Sequence, residues 1–179
     1  MERCFWCNLK NPLYVKYHDG EWGKPRFDDA YLFEMLLLET FQAGLSWECV
    51  LNKRDAFRRL FDEFDFYKIA EYDNDKIEVL CADRSIIRNR LKIKAAKNNA
   101  KVFIRILDEF GSFLNYLRLF WDGNVIYDHI STSSDLSLAI SKDLKKRGMS
   151  FVGTTVIFSY LQAIGVVNSH TENCFLYEG

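Results

Sequence analysis

From Ala30 to Phe41 the chain reads Ala-Tyr-Leu-Phe-Glu-Met-Leu-Leu-Leu-Glu-Thr-Phe, apolar nearly all round a 3.6-residue turn. A helix apolar on every side belongs in the middle of a protein. The segment therefore predicts a central buried helix, capped by Asp28 or Asp29. Ala43-Gly44-Leu45 breaks it, and Ser46 is placed to cap a helix from Trp47 to about Phe61. Asp65 and Asp73 are caps for two short helices. A turn near Asp83 to Ser85 precedes a long basic helix from about Arg88 to Glu109. Ser112 opens a short helix reaching Trp121, and Ser134 starts one that ends at Gly148. Lys145-Lys146-Arg147 in its last turn suit the helix dipole and a glycine cap. The last helix runs from about Val152 to Gly165. The opening segment, to about Phe27, is aromatic, polar and aperiodic, an ordered loop with one short helix. No set of segments alternates with period two, and Val125-Ile126-Tyr127 is a weak strand candidate. The pattern predicts an all-α fold of seven to nine helices, with short connections and antiparallel packing.

The 179 residues suit one domain, 1–179. Aromatic residues make up 16% of the chain, ample material for a core and an argument against disorder. No apolar run approaches the ~20 residues needed to span a bilayer. Met1-Glu2-Arg3-Cys4-Phe5-Trp6 does not read as a leader, because no apolar stretch follows the charges. Five cysteines are too few for a disulfide scaffold of this size. A soluble, reduced, cytoplasmic protein is expected, with a monomer as the default.

Candidate metal ligands collect at the two ends. Cys4, Cys7 and His18 lie early, and His170 and Cys174 lie late. His-x3-Cys brings two ligands within reach of one ion, and a Cys2His2 zinc site joining the termini is the sharp reading. Five residues compete for four places, and Cys4-x2-Cys7 has the commoner zinc spacing. The bland alternative makes Cys4 and Cys7 small buried hydrophobes. Cys49 and Cys81 sit in apolar helical patterns and read as core.

Glu39 shares its helix face with Met35, Leu36 and Ala43, where a carboxylate is expensive unless paired or functional. Phe5, Trp6, Tyr14, Tyr17, Trp22 and Trp47 crowd the same early part of the chain. Flat rings and a carboxylate suit a planar cation such as a methylated purine, although such rings also fill ordinary cores. From Arg84 to Lys101 there are seven basic residues and no acidic one, against a net charge of −1. Arg90, Lys94, Lys97 and Lys101 share one helix face, and Lys145, Lys146 and Arg147 extend the stretch. A phosphate backbone and a solvated helix face both account for it.

Several blocks in order carry a resemblance over nearly the whole chain. They include Met1 to Trp6, Pro12-Leu13-Tyr14, Tyr17-His18-Asp19, Glu21-Trp22-Gly23, Leu38-Glu39 and Gln42 to Trp47. Ile86 to Ile93, Leu144 to Gly148, Phe151 to Thr155, Asn168 and His170 complete them. The chain resembles the DNA-3-methyladenine glycosylase I family of the helix-hairpin-helix superfamily. The resemblance implies a structural Zn²⁺ held by Cys4, His18, His170 and Cys174, which resolves the five candidates against Cys7. It implies a base pocket of Glu39, Tyr17, Trp47, Trp6 and Trp22, with Tyr14 nearby. It also implies that a hairpin around Ser85 to Lys92, with Arg88, Arg90 and Lys92, grips the DNA backbone. Gly44 and Leu45 would approach the minor groove where a base is extruded.

The implied activity is hydrolysis of the N-glycosidic bond of 3-methyladenine in alkylated double-stranded DNA, by a monofunctional enzyme. Members usually carry glycine where this chain has Ser85, which predicts strain if that turn needs positive φ. Two other readings stand beside this one. A bifunctional lyase would need a desolvated lysine, with Lys92 nearest. A zinc-stabilised helical module could instead bind DNA without chemistry.

Overall fold

A computed structural model describes residues 1–178. These form ten α-helices, one 3₁₀ turn and two two-residue strands. The helix count exceeds the expected seven to nine partly because the segment from Trp47 divides. It becomes α3 (Trp47–Leu51) and α4 (Arg54–Leu60), parted at Asn52, whose side chain accepts a hydrogen bond from Asn11. Asn11 also caps α1 (Pro12–Gly20), the short helix of the opening segment, with proline at its first position.

The apolar segment is α2 (Asp29–Gln42), capped by Asp28, whose carboxylate accepts from the Tyr31 amide at 3.0 Å. Every residue from Tyr31 to Phe41 is buried. The helix is enclosed by α3, α7 (Arg90–Phe110), α8 (Phe113–Leu117) and α10 (Thr154–Ala163). On α7, Ile93, Ala96, Ala100, Phe103 and Ile106 face this core at helical spacing. Arg90, Lys94 and Lys101 lie on the exposed side. Arg147, at the end of α9 (Asp135–Lys146), does not extend that basic face as a free charge. Its guanidinium pairs with Asp143 and Glu109, both at 2.6 Å. Cys49 and Cys81 are only half-buried, rather than core, because α3 and α6 (Asn74–Ala82) turn them to the boundary.

The weak strand candidate is realised as β1 (Ile126–Tyr127), which pairs in parallel with β2 (Val167–Asn168). Gly165, between α10 and β2, has φ +76°, and a Cβ there would lie 2.2 Å from the Lys24 carbonyl carbon and the Pro25 nitrogen. Arg26 donates its amide to Ile164 beside this contact. Backbone cannot yield as a flexible side chain can, so Gly165→Ala combines strain with overpacking. We expect it to cost more than about 3 kcal/mol, read as a lowered urea midpoint. A midpoint within error of the parent would refute the close approach. No helix among the described residues is long and apolar enough to cross a membrane.

Candidate active site and metal centre

Cys4, His18, His170 and Cys174 are all buried, and their donor atoms lie within 4.8 Å of one another. Cys4 Sγ is 3.4 Å from His170 Nδ1, and Cys174 Sγ is 3.5 Å from both His18 Nε2 and His170 Nδ1. A tetrahedral zinc ion with two thiolates and two imidazoles spaces sulfur and nitrogen about 3.6 Å apart. The donor set therefore fits such an ion with little movement. Outer partners orient the rings as metal-binding histidines require. His18 Nδ1 meets Asp19 Oδ1 at 2.8 Å, and His170 Nε2 meets the Trp22 carbonyl at 3.3 Å. Arg3 grips the Asp19 carboxylate with two hydrogen bonds of 2.7 Å and holds its pKa down at about 2. Cys7 is buried but lies outside the donor set.

A cavity of ≈ 360 Å³ shares a wall with this centre. Trp6, Tyr14, Tyr17, Trp22, Glu39 and Trp47 all line it, so the fold assembles every residue expected at the base pocket. α1 delivers Tyr17 beside His18 of the donor set. Its last turn closes when Glu21 and Trp22 both donate amides to the Tyr17 carbonyl, at 2.9 and 3.0 Å. Tyr17 and Trp47 meet with ring centroids 5.1 Å apart, and Trp6 meets Trp22 edge-on at 4.6 Å. The His170 ring in turn stands edge-on to Trp22 at 4.7 Å. Tyr17 and Glu39 are almost completely buried, and the Tyr17 phenol is held protonated by that burial.

Glu39 Oε2 and Trp47 Nε1 are buried without hydrogen-bond partners. Such orphaned groups are costly, more so for a carboxyl than for an indole N–H. With no cation beside it, burial pushes the Glu39 carboxyl up to about 8. The other buried carboxylate of α2, Glu34, has the opposite surroundings, with Arg54 at 2.8 Å and Arg58 at 2.7 Å. An acceptor without a partner, among flat rings, is an arrangement that a planar donor-bearing cation would complete.

The turn after α2 joins Glu39 to Trp47. Gly44 has φ +81° and open space around it, and Leu45 is exposed. Lys92 departs from its expected place on the DNA grip. It is buried, and its ammonium donates to the carbonyls of Phe41 at 2.8 Å and Ala43 at 2.5 Å. The carbonyls at the end of α2 lack helical partners, and a lysine reaching them through the interior satisfies them. It stands nearer to structural clamp than to phosphate contact. Arg88 is exposed, whereas Arg90 is engaged with Glu78 on α6. The expected strain at Ser85 is absent, because its φ is not positive. Its amide and hydroxyl both bind the Asp83 carboxylate, at 2.8 and 2.6 Å.

The cavity has walls that sequence reasoning missed. Thr155, Ser159 and Gln162 line it from α10, with Gln42, Ser169, Thr171 and the 129–132 loop. One signal was available, since Thr155, Ser159 and Gln162 are polar at i, i+4 and i+7 in a mostly apolar helix.

Residues 6–177 match the family model described as methyladenine glycosylase. DNA-3-methyladenine glycosylase 1 of Escherichia coli K12 is 44% identical to this chain, with 100% of this chain and 98% of that protein covered. The crystal structure of a 3-methyladenine DNA glycosylase I superposes with a TM-score of 0.94 at 42% identity, over 99% of this chain and 100% of that one. A variant of 3-methyladenine DNA glycosylase I in complex with 3-methyladenine superposes with a TM-score of 0.92 at 32% identity, over 98% and 97% of the two chains. The cavity, its orphaned carboxylate and these full-length similarities place the chain in the methyladenine glycosylase family.

Proposed function

We propose that this protein is a cytoplasmic, monomeric base-excision repair enzyme, one helical domain that hydrolyses the N-glycosidic bond of 3-methyladenine in alkylated double-stranded DNA. The observation that carries the reading is the unpartnered Glu39 carboxyl inside a ring-lined cavity. Methylation at N3 leaves the adenine of the nucleotide cationic. Extrusion from the duplex costs a few kcal/mol, less for a damaged base. Tyr17, Trp47, Trp6 and Trp22, with Tyr14, enclose the flipped ring, and cation–π attraction favours the charged base over its neutral parent.

Glu39 accepts hydrogen bonds from the base edge. Its carboxyl gives its proton to solvent as the cation arrives, because the positive charge lowers a pKa that burial alone had raised. Water then bonds to C1′ and loses a proton to solvent, and the base departs neutral with the electrons of the C1′–N bond. A leaving group already activated by its charge requires little acid catalysis. Gly44 and Leu45 sit on the turn facing the duplex. The α6–turn–α7 unit, read as the helix-hairpin-helix element, contributes Arg88 to the backbone grip, with Arg90 and Lys92 behind it.

Cys4, His18, His170 and Cys174 hold a structural Zn²⁺ with no open position, and the bound ion ties the chain termini together. No lysine is among the residues lining the cavity. That observation favours simple hydrolysis over a lyase reaction, which needs an amine at C1′.

Base release from methylated duplex DNA, followed by chromatography, tests the reading. The parent is expected to free 3-methyladenine and leave 7-methylguanine in place. Trp47→Ala should lose tenfold or more of that rate, from the lost ring face, with its helix content unchanged. A folded, metal-loaded parent that frees no base would leave the DNA-binding module as the better reading.

A further inference from the structure

Among the described residues, four buried side-chain polar atoms have no hydrogen-bond partner: Glu39 Oε2, Trp47 Nε1, His129 Nδ1 and Tyr160 Oη. Three of the four belong to residues lining one cavity. Glu39 and Trp47 are absorbed by base recognition, but His129 is not.

Its position is built. β1 pairs with β2, and the Asp128 amide continues the ladder by donating to Asn168 at 3.1 Å. The Asp128 carboxylate then accepts the amides of Ile130 at 3.2 Å and Ser131 at 2.9 Å, a local turn that fixes the loop. The His129 ring rests against Tyr177, with centroids 4.8 Å apart. Ile130, the next residue, is 93% exposed. The loop thus holds one side chain at the cavity and the next in solvent.

The cavity has a depth order. Tyr17 and Glu39 are fully enclosed, whereas Ser131, Thr132 and Thr155 are exposed and define its mouth. His129 is half-buried, between the two, and Ser131 and Thr132, two and three residues further on, are at the mouth. A nucleotide entering base first leaves its sugar and phosphate at that level. Those groups offer oxygens, which an imidazole N–H can bind.

We propose that His129 is a substrate-contacting residue that hydrogen-bonds through Nδ1 to the sugar–phosphate of the extruded nucleotide, not to its base. The inference rests on the glycosylase reading and deepens it. It separates recognition of the damaged base, by Glu39 and the rings, from recognition of the nucleotide that carries it.

The test uses His129→Ala, His129→Asn and His129→Gln in the metal-loaded full chain. An asparagine amide reaches the place of Nδ1, whereas glutamine reaches that of Nε2. Two quantities are measured: kcat/KM on methylated duplex DNA, and binding of free 3-methyladenine by quenching of the cavity tryptophans. His129→Ala is expected to lower kcat/KM about tenfold, the effect of one hydrogen bond. His129→Asn should restore it to within about threefold of the parent, and His129→Gln should not. Free-base binding should stay within about twofold of the parent in all three, since no contact to the base is removed.

If the parent is active and His129→Ala matches it, the proposal is wrong and the glycosylase reading stands. If free-base binding falls in step with kcat/KM, the contact is to the base and the proposal is again overturned. Should His129→Ala fold poorly, the contrast between asparagine and glutamine decides alone. Equal rates for those two would overturn it. A parent that releases no base removes the glycosylase reading and this inference together.

Discussion

Glu39→Gln should make the protein more stable and at least a hundredfold slower at releasing 3-methyladenine, by analogy with losing one preorganised electrostatic contact. Both effects have one cause, burial without a partner. The folded state holds the carboxyl proton up to about pH 8, against an ordinary value of 4.5. The folded protein therefore binds more protons than the unfolded chain between these limits. The penalty for burying the charge is absent below pH 4.5, grows as pH rises and is complete above pH 8. Its ceiling is about 5 kcal/mol by linkage, and partial hydration of the site reduces it. Thermal melts of parent and variant without ligand should coincide near pH 4.5 and separate by pH 9, with the variant higher. A constant gap at both pH values would contradict a desolvated carboxyl.

The rate carries the same signature with opposite consequence. The ionised carboxylate attracts the cationic base, so kcat/KM of the parent should rise with pH toward 8, whereas that of Glu39→Gln should stay flat. A variant that excises like the parent would place base recognition elsewhere. The pairing of lost activity with gained stability follows from keeping an expensive group where the ligand needs it.

Cys174→Ser is expected to lose the metal and, with it, several kcal/mol of stability, because a structural zinc site adds its binding energy directly to folding. Metal analysis of the purified variant should fall from about one zinc per chain to near zero. Cys7→Ser should retain it, since Cys7 lies outside the donor set. The consequence reaches the cavity. Cys4 stands two residues before Trp6, His18 follows Tyr17, and His170 lies between Ser169 and Thr171, all four of them cavity-lining. Binding of free 3-methyladenine should therefore weaken along with melting temperature. Stoichiometric zinc in Cys174→Ser would remove that residue from the ligand set. Loss of zinc from Cys7→Ser would bring Cys7 into it.

Local chemistry was legible from residue order alone. Asp28, Ser46, Asp65, Asp73, Ser112 and Ser134 were readable as helix caps, and each side chain accepts a backbone amide two or three residues on. Gly148 ends α9 with φ +102°, and α2 is as buried as its unbroken apolar run required. These features depend on contacts within one turn, which neighbouring residues specify by themselves. The residues expected in the base pocket and metal centre came from a resemblance carried by many blocks in order. Spacing alone had left Cys4 and Cys7 in competition with three others.

What tertiary structure decided depends on atoms far apart in the chain. Lys92 belongs to a run of seven basic residues, and charge pattern alone points such a run outward. Its ammonium turns inward because the end of α2, some fifty residues earlier, leaves two carbonyls to be satisfied. Arg54 meets Glu34 and leaves Glu39 as the buried carboxylate of α2 without a cation, a difference that two similar helix positions cannot encode. His129 reaches the cavity only through the parallel pairing of two dipeptides about forty residues apart. A helix cap is settled by energies available within a few bonds, whereas a site of this kind is settled by which surfaces the packed core brings together.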